Sequence, residues 1–261
     1  MTFLQALALF IAAILGGALN SVAGGGSFIT LPTLIFTGVP SKIANATSTV
    51  ALWPGSVASV SAYRKELAAQ NRVLLLVLGG TSLIGGLLGA LLLLGTSQNT
   101  FVQLLPYLLL LATVLFAVSG PITTRLRARA AARSTKQTTQ ISWRTLTIIA
   151  LLQLVIATYG GYFGGGIGIL MLATLGLMGM ENIHEMNAVK TVLQSAINGV
   201  AVIAFIIAGA VVWLQAIVMI AGAIVGGFTA ASFARRLDPR LVRGFVILVG
   251  VSMTIYFFLH K

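Results

Sequence analysis

Apolar runs, most of them about 20 residues long, dominate this sequence, and they decide which backbone it can use. They fall at about residues 3–23, 27–38, 43–63, 72–94 and 101–120, and after a polar stretch at about 144–163, 167–179, 183–208, 211–234 and 241–259. A helix crosses a bilayer with about 20 apolar residues, and a spanning backbone in lipid must satisfy its own peptide groups. Hydrophobic residues make up 58% of the 261 and charged residues 8%, so the chain reads as a polytopic helical membrane protein. The first run has no basic leader and no A-x-A cleavage site, and it is expected to stay as a membrane segment.

Two glycine triplets interrupt this pattern, Gly24–Gly26 and Gly164–Gly166. Glycine costs about 1 kcal/mol against alanine inside a helix, so three in a row mark a break. In a bilayer a break is tolerated only where protein or a water-filled cavity supplies hydrogen bonds. The runs that follow are only about a dozen residues long, roughly 18 Å as helix, too short to cross the hydrocarbon core. They are expected to be half-helices or the return arms of re-entrant hairpins.

The two halves of the chain match. Gly24–Gly26 lie over Gly164–Gly166 and Ile29 over Ile169. With a drift of two residues, Asn45-Ala46 lies over Asn187-Ala188 and Thr49-Val50 over Thr191-Val192; further on, Gly85-Gly86 lies over Gly226-Gly227. Charge then orients each half. Arg64, Lys65 and Arg72 follow the third run, whereas the equivalent stretch around Gly209–Val212 carries no charge. The stretch Gly95–Thr100 is uncharged, yet its equivalent holds Arg235, Arg236, Arg240 and Arg243. Equivalent loops thus have opposite bias, which implies inverted halves. With Arg125, Arg127, Arg129, Arg133, Lys136 and Arg144 in the connector, 13 of the 16 basic residues fall on one side, leaving Lys42, Lys190 and Lys261.

The expected fold is therefore all-α, with two inverted-topology repeats of about five membrane segments each and helices interrupted at the glycine motifs. Residues 1–120 form the first repeat, 121–143 a basic cytoplasmic connector and 144–261 the second repeat. The connector, polar from Thr123 to Gln140, suits a solvated loop or an interfacial helix. Inversion demands an odd number of crossings per half. Five full spans satisfy this, and so do three spans plus a re-entrant hairpin.

Inverted repeats with interrupted helices point to secondary transport, with the substrate held between the repeats near the midplane. The free N–H groups and positive dipole end of each half-helix favour an anion, and glycine lets backbone approach it closely. The alternative use of such triplets is close helix crossing. Asn20–Pro32, read N-S-V-A-G-G-G-S-F-I-T-L-P and followed by Asn45-Ala46-Thr47-Ser48, resembles the TauE/SafE sulfite exporter family. Gly160–Ile169 with Asn187-Ala188-Val189-Lys190 is similar to the same template, so the resemblance covers essentially the whole chain. It implies movement of small sulfur-containing anions, sulfite or organosulfonates, across the cytoplasmic membrane. The second copy departs from the first where Leu172 replaces Pro32 and Lys190 replaces Ser48.

Lys190 lies about 10 Å into an otherwise apolar helix, where an ammonium is costly unless paired or hydrated. It reads as the countercharge of a transported anion, or as a lysine that snorkels to the surface. Lys42, at the edge of its helix, suits capping or snorkelling. Asn45 and Asn187 could each donate an amide to an oxyanion or bond across helices. The candidate substrate site is therefore Gly24, Gly25, Gly26, Ser27, Asn45, Ser48, Gly164, Gly165, Gly166, Asn187 and Lys190. Thr47, Thr49 and Thr191 rank behind these, because such hydroxyls often bond their own helix. His184 and Glu185, beside Glu181, are candidates for proton coupling, although Asn182-Ile183-His184-Glu185 also fits a helix-capping box.

No acid lies deep in any run, so no metal or sodium cage is expected, and no cofactor. Asp238 is the sole aspartate and no H-E-x-x-H occurs, so an enzyme is not expected. The formal charge of +12 follows from loop topology and does not call for nucleic acid. The expected function is export of a small anion by alternating access, in the inner cell membrane. An anion channel of the same fold and a non-transporting scaffold are the competing classes. The expected partners are the anion and the lipid bilayer, with a homodimer left open. Cysteine labelling of single-site variants at Gln98, Lys136 and Lys261 should find Lys136 inside and the other two outside. Labelling of Lys261 from the cytoplasm would break the inverted arrangement.

Overall fold

The computed structural model describes the whole chain apart from Gly24, Ala69, residues 133–142, Gly179, Glu181, residues 234–238, His260 and Lys261. Eleven helices and, among the described residues, no strand make up the fold: α1 (Phe3–Ala23), α2 (Ser27–Phe36), α3 (Ser41–Ala62), α4 (Arg64–Ala68), α5 (Arg72–Gly95), α6 (Gln98–Ala132), α7 (Trp143–Tyr162), α8 (Ile167–Leu177), α9 (Ile183–Ile207), α10 (Trp213–Phe233) and α11 (Pro239–Leu259). Among these residues, four stretches are long and apolar enough to cross a membrane: Phe3–Asn20, Arg72–Gly95, Gln98–Val118 and Glu185–Ile207. Residues 133–142 of the expected connector lie outside the described residues, and its first part, 121–132, is helical, because α6 continues unbroken to Ala132.

The polarity is that of a chain built for lipid. On α5 the large apolar side chains Leu76, Ile84, Leu91 and Leu92 point outward, while Ser82, Gly85, Gly86, Gly89 and Ala90 face the interior. Inside sit Asn45, Thr47, Ser48, Gln153, Lys190 and Gln194, all buried. Small residues at the seams and polar residues inside are what helix association needs when lipid is as apolar as leucine.

The halves are interleaved. α1 packs along α10 and α7 along α5, so the first helix of each half lies on a helix of the other. The latter pair runs parallel, since Gln153 bonds Ser82, Ala157 faces Gly85, and Thr158 and Tyr162 face Gly89. α3 and α9 meet at the centre, where Trp53 Nε1 donates to the Ser195 carbonyl (3.0 Å) and the indole covers Gly199. α3 also touches α10 and α9 touches α5, while α6 pairs with α11.

α2 and α8 have 10 and 11 residues, about 15–17 Å of helix, and neither reaches across a hydrocarbon core. Each folds back on the helix before it: Thr30 and Gly26 lie against Gly16 of α1, and Ile167 lies against Gly160 of α7. α2 also packs on α3, and α8 on α9.

The α5–α7 seam generates a stability prediction. A Cβ at Gly89 would stand 2.6 Å from the Tyr162 nitrogen and 2.9 Å from the Gly161 carbonyl carbon, whereas one at Gly80 meets nothing within 4 Å. Overpacking costs about 1–3 kcal/mol, and more where the obstacle is backbone. Gly89→Val should lower the melting temperature in detergent clearly, and Gly80→Val should leave it nearly unchanged.

Candidate functional site

The chain leaves helical geometry at the two glycine motifs in different ways. α1 ends at Ala23 and α2 starts at Ser27, with Gly26 in right-handed conformation at φ −58°. The Gly25 carbonyl takes the Phe28 N–H, and the Gly26 carbonyl takes those of Ile29 and Thr30, all at 3.2 Å. α7 ends at Tyr162, and Gly164 (φ +79°) and Gly166 (φ +75°) turn the chain into α8. Side chains other than glycine rarely adopt that region, so these two positions are glycine for backbone reasons. The Tyr159 hydroxyl reaches forward to the Gly165 carbonyl (2.7 Å). Among the described residues, no acceptor takes the N–H groups of Gly165, Gly166 or Gly168. The start of α8 is thus a set of free donors at a positive dipole end, the arrangement that favours an anion.

One turn of α3 serves both breaks. Ser48, buried, shares a 2.6 Å hydrogen bond with Thr30 Oγ1, which itself reaches the Gly26 carbonyl (3.1 Å). Three residues earlier, Asn45 Nδ2 donates to the Tyr162 carbonyl (2.9 Å) at the end of α7. One turn of α6 does the same by packing. The Phe116 ring covers Gly25 and meets Phe28 edge-on at 5.5 Å, while Ala112 covers Gly165 and Gly166. The two breaks, 140 residues apart, therefore share a wall.

α9 brings the remaining candidates. Asn187, Lys190 and Gln194 recur at helical spacing, so they line one side of it. Lys190 is 3% exposed. Among the described residues it has no acceptor and no carboxylate partner. The Asn187 side chain, half-buried, likewise has no hydrogen-bond partner there. One turn beyond Lys190, Gln194 Nε2 meets Asn20 Oδ1 (3.4 Å), and Asn20 Nδ2 donates to Ser56 Oγ (2.8 Å). Asn20 stands four residues before Gly24, so this trio ties α1, α3 and α9 together beside the first break.

The other expected residues have structural partners or lie beyond description. Gly24, Glu181 and the His184 side chain lie outside the described residues. Glu185 accepts from Asn182 Nδ2 on one oxygen (3.1 Å) and from Gln70 Nε2 on the other (3.0 Å), which anchors the start of α9. Lys42 Nζ donates to the Leu94 and Thr96 carbonyls (3.1 and 2.9 Å), closing the end of α5 as a helix-capping lysine should. Thr47 Oγ1 accepts from Val212 N–H (3.2 Å), and Thr49 and Thr191 bond back to Asn45 and Asn187 carbonyls. Asn20, Ser56, Gln194 and Tyr159 were not among the expected site residues. Their signal was present as uncharged polar groups deep in apolar runs.

Known proteins resemble this chain along nearly its full length. The profile of the family described as "Sulfite exporter TauE/SafE" matches residues 9–257. A "Probable membrane transporter protein" of Haemophilus influenzae is 26% identical over 247 residues, covering 94% of this chain and 91% of that protein. The "Probable membrane transporter protein YfcA" of Escherichia coli K12 is 24% identical over 249 residues, covering 94% and 87%. The "Probable membrane transporter protein ORF9" of a Sinorhizobium species is 26% identical over 251 residues, covering 95% and 90%. No solved structure matches.

The two asparagines should separate by experiment. Asn45→Ala strips the Tyr162 carbonyl of a buried donor and should cost about 1–3 kcal/mol of stability. Asn187→Ala breaks no bond among the described residues and should change stability by less than about 0.5 kcal/mol. Thermal melts in detergent, with anion flux measured beside them, should find Asn45→Ala unstable and Asn187→Ala stable but slow.

Proposed function

The chain belongs to the TauE/SafE sulfite exporter family, and from that membership and the site geometry we propose that it exports a small sulfur-containing anion, sulfite or an organosulfonate, across the inner cell membrane. The observation that carries this reading is Lys190, a buried ammonium with no acidic partner among the described residues, on a helix packed against the half-helix α8 with its free N–H groups. A buried cation with nothing opposite it is strongly unfavourable, and a small anion is the natural partner. Among the described residues no acid lies beyond the first turn of a membrane-length helix, and no cluster of acids or histidines offers a cation a ligand set. Gly25, Gly26, Ser27, Asn187 and Lys190 would contact the anion, together with Gly164–Gly166. Asn45 and Ser48 would hold the breaks in place.

Alternating access by two inverted repeats suits this packing. Exchanging α1 with α7, α2 with α8, α3 with α9, α5 with α10 and α6 with α11 turns the α1–α10 contact into α7–α5, α3–α10 into α9–α5, and α2–α11 into α8–α6. It leaves the α3–α9 and α6–α11 contacts in place. That exchange supports two related halves, and rocking one against the other around a fixed site would expose it to each side in turn.

The test is flux in proteoliposomes, with sulfite, methanesulfonate, sulfate and chloride, with and without a pH gradient. The expected outcome is saturable sulfite or sulfonate movement with counterflow. Conductive chloride flux without counterflow would mean a channel, and no flux at all a scaffold. Lys190→Met should cut the flux at least about tenfold, a loss of about 1.4 kcal/mol or more of anion stabilisation, while Lys65→Met in the basic loop should be nearly silent.

A further inference from the structure

We propose that Lys190 also carries the coupling proton: it binds the anion as an ammonium and returns through the empty site as a neutral amine. This inference rests on the reading of the site as an anion site. It assigns coupling to the site itself and leaves Glu185 a structural anchor.

The charges around α9 lead there. Lys190 is 3% exposed and, among the described residues, unpartnered. The helices packed most closely on α9 are α3, α4, α5, α7 and α8, and α1, which meets it through Asn20, has no ionisable group. Their ionisable groups are Lys42 on α3, Arg64, Lys65 and Glu66 on α4, Arg72 at the start of α5, and Arg144, Tyr159 and Tyr162 on α7. α8 has none. α9 itself adds His184 and Glu185 in its first turn. Lys42 is held by the Leu94 and Thr96 carbonyls, Tyr159 by the Gly165 carbonyl and Tyr162 by Thr96 Oγ1. Glu185 is held by Asn182 and Gln70. No described carboxylate is bonded to Lys190 to neutralise it once the anion has gone.

An empty, charged site would have to carry a bare buried cation through the transition between its two orientations. Loss of a proton removes that cost as fully as an anion does. On the release side the anion leaves, one N–H bond of the ammonium breaks, its electron pair stays on nitrogen and the proton passes to water. Loading reverses each step, and nothing is oxidised or reduced. One monoanion therefore moves with one proton, and neither the loaded nor the empty site carries net charge across.

Arginine gives the decisive variant, because a guanidinium stays protonated under any transport condition. The full chain is reconstituted in liposomes with labelled sulfite at about pH 6, where sulfite is mostly the monoanion. Exchange, with sulfite on both sides, is compared with net efflux into sulfite-free buffer. Wild type should do both. Lys190→Arg should retain exchange while net efflux falls at least about tenfold, and Lys190→Met should lose both. A second measurement needs no variant: wild-type efflux should alkalinise the lumen by one proton per sulfite and ignore a valinomycin-imposed potential. Efflux that follows the potential without a lumenal pH change overturns the proposal. So does a folded Lys190→Arg whose net efflux keeps pace with its exchange, or one that loses exchange as well. Absence of sulfite movement in either mode by wild type overturns the transport reading, and this proposal with it.

Discussion

A peptide N–H inside a bilayer must find an acceptor or a polar ligand, and that demand organises this molecule. Eight helices longer than α2 and α8, and the short α4, satisfy their interior peptide groups along their own length. The two glycine breaks cannot. Around them the chain gathers the polar side chains it otherwise keeps sparse: Thr30 and Ser48 at the first break, Asn45 and Tyr159 at the second, and Asn20 with Gln194 just before the first. The bonds from Thr30, Asn45 and Tyr159 satisfy backbone carbonyls. Donors at the start of α8 are left over, and leftover donors in a buried place are where an anion gains most.

The same demand explains why the halves interleave. The first break is held by its own half, through Thr30, Ser48 and Phe116, whereas the second also draws on the other half. Asn45 of the first half therefore caps α7 of the second, and α6 of the first half covers both breaks with Ala112 and Phe116. Close approach across the α5–α7 seam needs Gly85 and Gly89, and that of α5 to α9 needs Gly86, since a side chain at each would strike backbone. Small residues thus set the distance between halves, and polar ones fix their register.

Much of this was legible in the sequence because its cause is local. Triplets of glycine after apolar runs announce broken helices, and the runs behind them are visibly too short to span. The spacing of Asn182 and Glu185 put them within reach of each other, although they meet side chain to side chain. What was hidden depends on partners far along the chain. Nothing near Asn45 says that its amide meets a carbonyl 117 residues away. Nothing near Ser48 says that its hydroxyl is committed to Thr30, a residue on the half-helix that only folding brings close. Asn20, Ser56 and Gln194 are unremarkable singly and become a cluster only when α1, α3 and α9 meet. The continuation of α6 to Ala132 ran past the end of the apolar signal, where alanine and arginine favour helix without favouring lipid.

Ser48 and Lys190 stand at equivalent places in the two halves, and their difference bears on how a symmetric scaffold can hold an asymmetric ligand. A lysine at both positions would bury two cations around one site, and a monoanion could neutralise only one. A serine at both would leave no charge to attract it. With Ser48 bonded to Thr30 and Asn45 to Tyr162, the first half spends its polar groups on the breaks. With Asn187 and Lys190 unbonded among the described residues, the second half keeps its groups for a guest. Under the proposed transport, serine in one half and lysine in the other would leave the site one cation for one anion.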